Sequence, residues 1–222
     1  MQRHEEKYII DYRQYGLLLS RVRQVLQPDV HAINGAYLIT SLYYDDPLNS
    51  ALYEKLDGLS DHSKFRVRTY NCSDSVIRLE RKDKHGIMTH KEAASITKEQ
   101  LLALKGTATD LSLFAGDGYD LAAQMKTGNQ HGKIIVRYRR DAYYHPATDL
   151  RVTFDTDLQV LGPNPAGLFD QNVRGVPVLD KNSVIMEIKY TDHPPAFVRT
   201  LLNATCKQLS VSKYAFCREE FL

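Results

Sequence analysis

In several stretches of this chain, apolar and polar residues alternate at every second position. Side chains of a β-strand point alternately to its two faces, so this pattern is typical of strands with one apolar and one polar face. Phe65 and Val67, for example, alternate with three cations. By this pattern we predict strands over residues 3–10, 37–44, 64–70, 76–82, 87–93, 133–140, 149–155, 158–161 and 184–190.

Fewer stretches carry apolar residues three or four positions apart, which is the spacing of one helix face. The first such stretch begins after Asp11, a residue type that caps helices, and continues to about residue 26. Thr97 followed by Gln100 is a capping box for a helix through Lys105. We also predict helices over residues 48–57, 112–126 and about 194–203, and a loop over residues 162–177.

The predicted strands outnumber the helices and are often joined by short polar segments. This order favours an α+β protein built on an antiparallel sheet of about eight strands, with the helices flanking it. A barrel of about eight strands has an interior that side chains alone can line, so this strand count is compatible with a closed tunnel.

The polar faces of the predicted strands carry mostly positive charge. Lys64, Arg66 and Arg68 follow each other on one face with no acid between them. Exposed faces usually mix the two signs because adjacent like charges repel. Two interpretations of this face remain: it binds a polyanion, or it is an open face whose charges are simply solvated. The other charged runs are Arg3, Glu5 and Lys7, then Arg78, Glu80 and Lys82, then the surroundings of Arg140, Arg151 and Lys189.

Length and composition restrict the class of protein. The 222 residues, 43% of them hydrophobic, suffice for one domain over residues 1–222 with a buried core. No stretch approaches the roughly 18 to 20 apolar residues that span a bilayer, and the first ten residues lack the apolar segment of a signal peptide. We therefore expect a cytoplasmic protein. The net charge of +2 is small for a general nucleic-acid binder, so no nucleic-acid partner is expected.

Several residue types that often mark function do not form the corresponding motifs. The three cysteines include no CxxC pair, which argues against a zinc site and against a disulfide framework. The sequence also lacks HExxH and GxxxxGK[ST]. We interpret Tyr43 and Tyr44 as residues that pack sheet against helix rather than as platforms for bases.

Short motifs occur along nearly the whole chain in a defined order. They are RHEEKY at residues 3–8, SLYYD at 41–45, RVRTY at 66–70, ERK at 80–82, YRRDAY at 138–143, RVTFD at 151–155, MEIK at 186–189 and SKY at 212–214. In order and spacing these motifs resemble the VTC domain, the polyphosphate polymerase module of the vacuolar transporter chaperone complex. That family belongs to the triphosphate tunnel metalloenzymes of the CYTH-like superfamily, so the resemblance implies an antiparallel β-tunnel with flanking helices.

The resemblance also implies roles for individual residues. It assigns catalysis to Lys7, Arg66, Arg68, Lys82, Arg140, Arg151 and Glu187. It assigns phosphate binding to Lys91, Tyr138, Ser212 and Lys213. We add Arg3, which shares a strand face with Lys7, and Lys189, which shares a strand face with Glu187, as further phosphate-binding candidates. Glu187 matches the carboxylate that binds a divalent metal, Mn²⁺ or Mg²⁺, and Glu5 and Glu80 are further candidates. The superfamily often opens with ExExK, whereas this chain has Arg3 at the first position, which leaves fewer carboxylates for metal and favours anion binding.

The implied activity is transfer of the γ-phosphoryl group of ATP to a growing inorganic polyphosphate chain. The acceptor is already an anion, so no strong general base is needed. Two alternatives remain open. One is a metal-dependent triphosphatase or polyphosphatase in which Glu5, Glu80 or Asp155 activates water. The other is a polyphosphate-binding module in which Glu187 has only a structural role. A membrane-protein partner that holds the chain at the inner face of a membrane is compatible with all three.

Overall fold

A computed structural model describes residues 3–32, 35–86, 88–191, 198 and 212–221 of the protein. The strands within these residues are β1 Arg3–Asp11, β2 Gln27–Pro28, β3 Ala36–Asp45, β4 His62–Tyr70, β5 Ser73–His85, β6 Met88–Ser95, β7 His131–Tyr144, β8 Arg151–Leu161, β9 Val176–Pro177 and β10 Ser183–Thr191. The α-helices are α1 Tyr12–Val25, α2 Ser50–Leu56, α3 Lys98–Ala103, α4 Gly116–Thr127 and α5 Lys213–Glu219. None of the described helices is both long enough and apolar enough to cross a bilayer.

The chain forms two compact units. The first contains Met1–Leu38, Tyr138–Leu158 and Leu179–Ser212, and the second contains Ile39–Arg137, Gln159–Val178 and Lys213–Leu222. The strands β3, β7 and β8 each contribute residues to both units. The prediction of a single domain over residues 1–222 stays a prediction.

In the first unit, the strand order is β1-β10-β8-β7, and β2 pairs with the end of β7. Helix α1 begins at a capping box: the Asp11 side chain accepts from the backbone N–H of Gln14, and the Gln14 side chain accepts from the backbone N–H of Asp11. Leu18 and Val22 of α1 pack on the apolar face of the sheet. That face includes Ile10, Phe154, Met186 and Ile188.

In the second unit, the strand order is β7-β3-β4-β5-β6, and β9 pairs with β8. The apolar face of β4 and β5, which includes Val67 and Leu79, packs in one core with Leu101 of α3 and Leu121 and Met125 of α4. Because these side chains are buried on one face, the residues at the alternate positions of the strands point to the other face. The cations of β4 and β5 occupy those alternate positions.

The predicted α+β class and antiparallel sheet are confirmed. The eight longer strands are ordered β1-β10-β8-β7-β3-β4-β5-β6. The end strands of this order, β1 and β6, carry charged residues such as Glu5, His90 and Glu92, a common feature of edge strands.

Two expected elements differ from the structure, and a third lies largely outside the described residues. The strands expected at 149–155 and 158–161 are one strand, β8, because Asp157 takes a left-handed conformation with φ of 53° inside it, which an Asp tolerates. The helix expected from residue 112 begins at Gly116, after a short 3₁₀ helix at Leu111–Leu113. The helix predicted over 194–203 falls largely outside the described residues.

Candidate functional site

The polar face of the first unit gathers residues from four strands. In the antiparallel register, Glu187 of β10 lies opposite Lys7 of β1 and Thr153 of β8, and Lys189 lies opposite Glu5 and Arg151. Directly opposed residues share a face of the sheet. We call the following group the Glu187 cluster: Glu5, Lys7, Tyr138, Arg140, Asp155, Glu187 and Lys189.

Arg140 is the most tightly held cation of the Glu187 cluster. Its Nε and Nη2 atoms donate to the two carboxylate oxygens of Asp155 at 2.6 and 2.7 Å, and both side chains are buried. The same Nη2 lies 3.5 Å from Glu187 Oε2, and the guanidinium lies 5.3 Å from the ring centre of Tyr138. A bidentate pair of this kind fixes the plane of the guanidinium as well as its position.

Lys189 lies between two carboxylates. Its Nζ is 3.3 Å from Glu187 Oε2 and 3.8 Å from Glu5 Oε2. Burial nevertheless lowers the pKa of the Lys189 ammonium, because loss of hydration outweighs the attraction of these acids. Repulsion from Arg140 and Lys7 acts in the same direction.

The carboxylates of the Glu187 cluster suit a divalent cation. Glu5 and Glu187 already share one cation, the ammonium of Lys189, and carboxylate oxygens are the donors that Mg²⁺ and Mn²⁺ prefer. Within the described part of the chain, no three His, Cys, Asp or Glu side chains are grouped as metal ligands. One or two carboxylates are sufficient where substrate phosphates complete the coordination, so these residues fit the implied metal.

Asp155→Asn tests how much the buried pair contributes. The amide keeps the shape of the side chain but removes the bidentate carboxylate partner of Arg140, so we expect the free energy of unfolding to fall by about 3 kcal/mol. Urea unfolding measures this change. Asp120→Asn, at an exposed position of α4, is the matched control and should change stability by less than about 0.5 kcal/mol. Equal effects of the two substitutions would contradict the assignment of Asp155 as the buried partner of Arg140.

In the second unit too, polar and charged residues of neighbouring strands lie together on one face of the sheet. Three cross-strand rows are set by the register: Ser41, Arg68 and Arg78; Tyr43, Arg66 and Glu80; Lys64, Lys82 and Lys91. We call the following group the Arg66 cluster: Ser41, Tyr43, Arg66, Arg68, Glu80, Lys82 and Lys91. The predicted adjacency of the cations on β4 is therefore confirmed.

Glu80 is the buried anion of the Arg66 cluster. It accepts from Arg66 Nε at 2.7 Å and lies 2.6 Å from Arg66 Nη2, and its other oxygen accepts from Lys91 Nζ at 2.5 Å. Burial alone would raise the pKa of the Glu80 carboxyl, but Arg66, Arg68 and Lys91 overcome this effect and lower it well below its ordinary value of 4.5. With both oxygens bound to cations, Glu80 holds Arg66 in position, and its role as a metal ligand stays a prediction.

The lowered pKa of Glu80 makes part of the stability pH-dependent. As the pH falls below about 4.5, the unfolded chain takes up the proton before the folded chain does, so the stabilisation present at neutral pH is lost. The cost of Glu80→Gln in urea unfolding should accordingly be larger at pH 7 than at pH 3. An equal cost at both values would show that Glu80 is not held as a carboxylate by Arg66 and Lys91.

Two hydroxyls of β3 complete the Arg66 cluster, and they were not among the predicted site residues. Arg66 Nη1 donates to Tyr43 Oη at 3.1 Å, and Arg68 Nε donates to Ser41 Oγ at 3.3 Å. The packing interpretation of Tyr43 is confirmed as well, since its ring stacks on Tyr214 of α5. The alternation of Ser41 and Tyr43 along β3 is the sequence signal that could have identified them.

The structure gathers most of the other predicted site residues into the two clusters. Lys7, Tyr138, Arg140, Glu187, Lys189 and Glu5 are together in the first unit, and Arg66, Arg68, Lys82, Lys91 and Glu80 are together in the second. Arg151 shares the face of Lys189, and its Nη2 donates to Asp29 at 2.9 Å. Arg3 lies in β1, but its side chain is outside the described residues; Ser212 precedes α5, and Lys213 begins it.

Similar folds occur among solved structures. A candidate adenylyl cyclase from Hippeastrum, HpAC1, whose dominant activity is that of a triphosphatase, is 14% identical with a TM-score of 0.59, over 99% of this chain and 96% of that chain. A candidate adenylate cyclase from Bacillus halodurans is 12% identical with a TM-score of 0.58, over 96% of each chain. The PH1819 protein of Pyrococcus horikoshii is 13% identical with a TM-score of 0.53, over 98% of this chain and 99% of that chain. At these identities the likeness shows that the chain shares the fold of these structures.

The sequence gives the more specific relationship. No curated protein matches the chain at a significant level. A family model described as "VTC domain", in contrast, matches residues 2–221. Since this match covers nearly the whole chain and agrees with the order of the motifs and with the fold, the chain belongs to the VTC domain family.

Proposed function

We propose that this protein is a polyphosphate polymerase that transfers the γ-phosphoryl group of ATP to the end of an inorganic polyphosphate chain. A terminal oxygen of the polyphosphate attacks the γ-phosphorus, the bond from that phosphorus to the β–γ bridging oxygen breaks, and ADP leaves. In such a reaction charge spreads over the phosphoryl oxygens, so positioned cations supply most of the catalysis.

The observation that carries this proposal is the way two arginines are held. Arg66 and Arg140 each bind a buried carboxylate of a neighbouring strand, through Glu80 and Asp155 respectively. A guanidinium fixed in this way is preorganised for a tetrahedral anion and loses little conformational freedom on binding. We propose that both clusters bind phosphate groups through these arginines, with Arg68, Arg151 and the predicted lysines as further contacts.

The Glu187 cluster would hold the metal. Glu187, assisted by Glu5, would provide carboxylate oxygens for Mg²⁺ or Mn²⁺. When bound, the metal would neutralise the charge that develops on the phosphoryl oxygens. Lys7 and Lys189, which lie beside these carboxylates, would hold phosphoryl oxygens while Arg140 keeps its orientation through Asp155.

Two of the candidate bases are carboxylates already bound to cations, which favours a polymerase over a hydrolase. A hydrolase needs a group that removes a proton from water, and Glu5, Glu80 and Asp155 are candidates by residue type. In the structure, however, both oxygens of Glu80 and of Asp155 accept hydrogen bonds from cations. Oxygens bound in this way are less available to take a proton from water, whereas a phosphate acceptor needs no base. The triphosphatase activity of the similar Hippeastrum protein makes hydrolysis the second candidate.

One assay separates the candidate functions. Purified protein is incubated with ATP and Mn²⁺, and the products are examined for long polyphosphate on a gel and for free phosphate in solution. Polymer supports the proposal, whereas phosphate alone supports a triphosphatase. Neither product, together with tight binding of polyphosphate, would identify a binding module.

A further inference from the structure

The hydroxyl of Tyr43 has a defined orientation in the Arg66 cluster. Its oxygen accepts a hydrogen bond from Arg66 Nη1 at 3.1 Å, so its own proton points away from the guanidinium. Among the described residues, no acceptor is found for that proton. A buried hydroxyl usually donates as well as accepts, and Tyr43 is only 8% exposed.

The ring of Tyr43 is held in place from α5. It stacks on Tyr214, with ring centres 5.2 Å apart and planes inclined by 25°. The Tyr214 hydroxyl in turn donates to buried Asp45 at 2.7 Å, and Asp45 also accepts from the backbone N–H groups of Ala51 and Leu52 in α2. The position of the Tyr43 hydroxyl is therefore set before any ligand binds.

We propose that Tyr43 is a further substrate-binding residue, whose hydroxyl donates a hydrogen bond to an oxygen of the phosphate held by Arg66. This inference rests on the proposed function, because it takes Arg66 as a phosphate ligand. The hydroxyl and the guanidinium would bind the same phosphate from adjacent strands, since Tyr43 and Arg66 lie directly opposite each other in β3 and β4. A hydroxyl that donates to an anion makes a short and strong hydrogen bond.

The charges around Tyr43 agree with a donor to an anion. Burial alone would raise the pKa of the phenol, but Arg66, Arg68 and Lys213 outweigh this effect and lower it. A more acidic phenol is a better hydrogen-bond donor. The ionisable groups that face Tyr43 are Arg66 and Arg68 of β4 and Lys213 and Tyr214 of α5; Glu80 of β5 binds the far side of Arg66.

The test is Tyr43→Phe, which keeps the ring and its stacking on Tyr214 and removes only the hydroxyl. Isothermal titration with tripolyphosphate at pH 7 should show binding about tenfold weaker than that of the wild type. Tyr44→Phe is the matched control. Tyr44 is the next residue of β3, and its ring lies in the apolar core on the other face, so this variant should bind within about twofold of the wild type.

The pH profile distinguishes a donor from a packing residue. Because the pKa of the Tyr43 phenol lies below its ordinary value of 10, the wild-type phenol loses its proton as the pH rises towards 10, so the donor disappears and a negative charge takes its place. The advantage of the wild type over Tyr43→Phe should therefore shrink as the pH rises. A purely structural hydroxyl would give a constant ratio.

The outcomes distinguish this inference from the function on which it rests. Wild-type protein that binds tripolyphosphate, with a Tyr43→Phe variant that binds equally well over the whole pH range, would overturn the role of Tyr43 and leave the proposed function standing. Wild-type protein that binds no tripolyphosphate would overturn both. The thermal unfolding midpoint of each variant confirms that the folded proteins are compared, and the wild-type pH profile provides a second measurement if Tyr43→Phe is unstable.

Discussion

Glu187→Gln should reduce the turnover of ATP by at least about a hundredfold and leave the affinity for tripolyphosphate almost unchanged. The amide has the shape of the carboxylate but not its charge, so it is a much weaker ligand for Mn²⁺. Phosphate binding should survive because Arg140 and Lys189, which lie 3.5 and 3.3 Å from Glu187, keep their positive charges. Loss of one anion makes their surroundings more attractive to a polyanion, not less.

Two binding measurements accompany the activity assay. Electron paramagnetic resonance of Mn²⁺ should show weakened metal binding by Glu187→Gln, and isothermal titration should show tripolyphosphate affinity within about threefold of the wild type. Glu99→Gln, at an exposed position of α3, controls for the loss of one carboxylate and should retain activity. Unchanged activity of Glu187→Gln would remove the metal assignment. A parallel loss of tripolyphosphate affinity would instead give Glu187 a role in keeping the cluster folded.

Period-two alternation predicted which residues share a strand face. Lys64, Arg66 and Arg68 lie on one face of β4 because Phe65 and Val67 are required in the core on the other. This inference is local, since neighbouring side chains of a strand must point to opposite faces. The same argument placed Glu187 and Lys189 together in β10.

The partners of these residues could not be predicted from alternation. Arg140 pairs with Asp155, 15 residues away, and Arg151 pairs with Asp29, 122 residues away. Such pairs depend on strand order and register, which are set by the packing of the whole sheet. The sequence therefore identified Asp155 as a candidate base, whereas the structure shows it bound to a guanidinium.

Backbone conformation was a second source of error. The strands predicted over 149–155 and 158–161 left Asp157 in a break between them. Its left-handed conformation is instead accommodated inside β8. Short sequence windows do not distinguish an irregular residue within a strand from a turn between strands, because both favour Asp.

Arg66→Ala should weaken the binding of tripolyphosphate by about a hundredfold at pH 7. The substitution removes a fixed guanidinium, whose charge-assisted hydrogen bonds contribute about 1.5–3 kcal/mol each. It also deprives the buried Glu80 carboxylate of one of the cations that compensate its charge, so a less compensated negative charge faces the polyanion. Arg66→Lys keeps the charge but not the planar fork, and its affinity should be intermediate.

Arg139→Ala separates local geometry from net charge. Arg139 is exposed and lies on the face of β7 opposite to that of Arg140, outside both clusters. Its substitution removes one positive charge from the protein, as Arg66→Ala does. Isothermal titration should show at most about a twofold loss of affinity, since screened surface charges act weakly. Similar losses for Arg66→Ala and Arg139→Ala would mean that total charge governs binding. A negligible effect of Arg66→Ala would place the basic face of β4 outside the phosphate site, and Glu80 and Tyr43 would then serve only to stabilise the sheet.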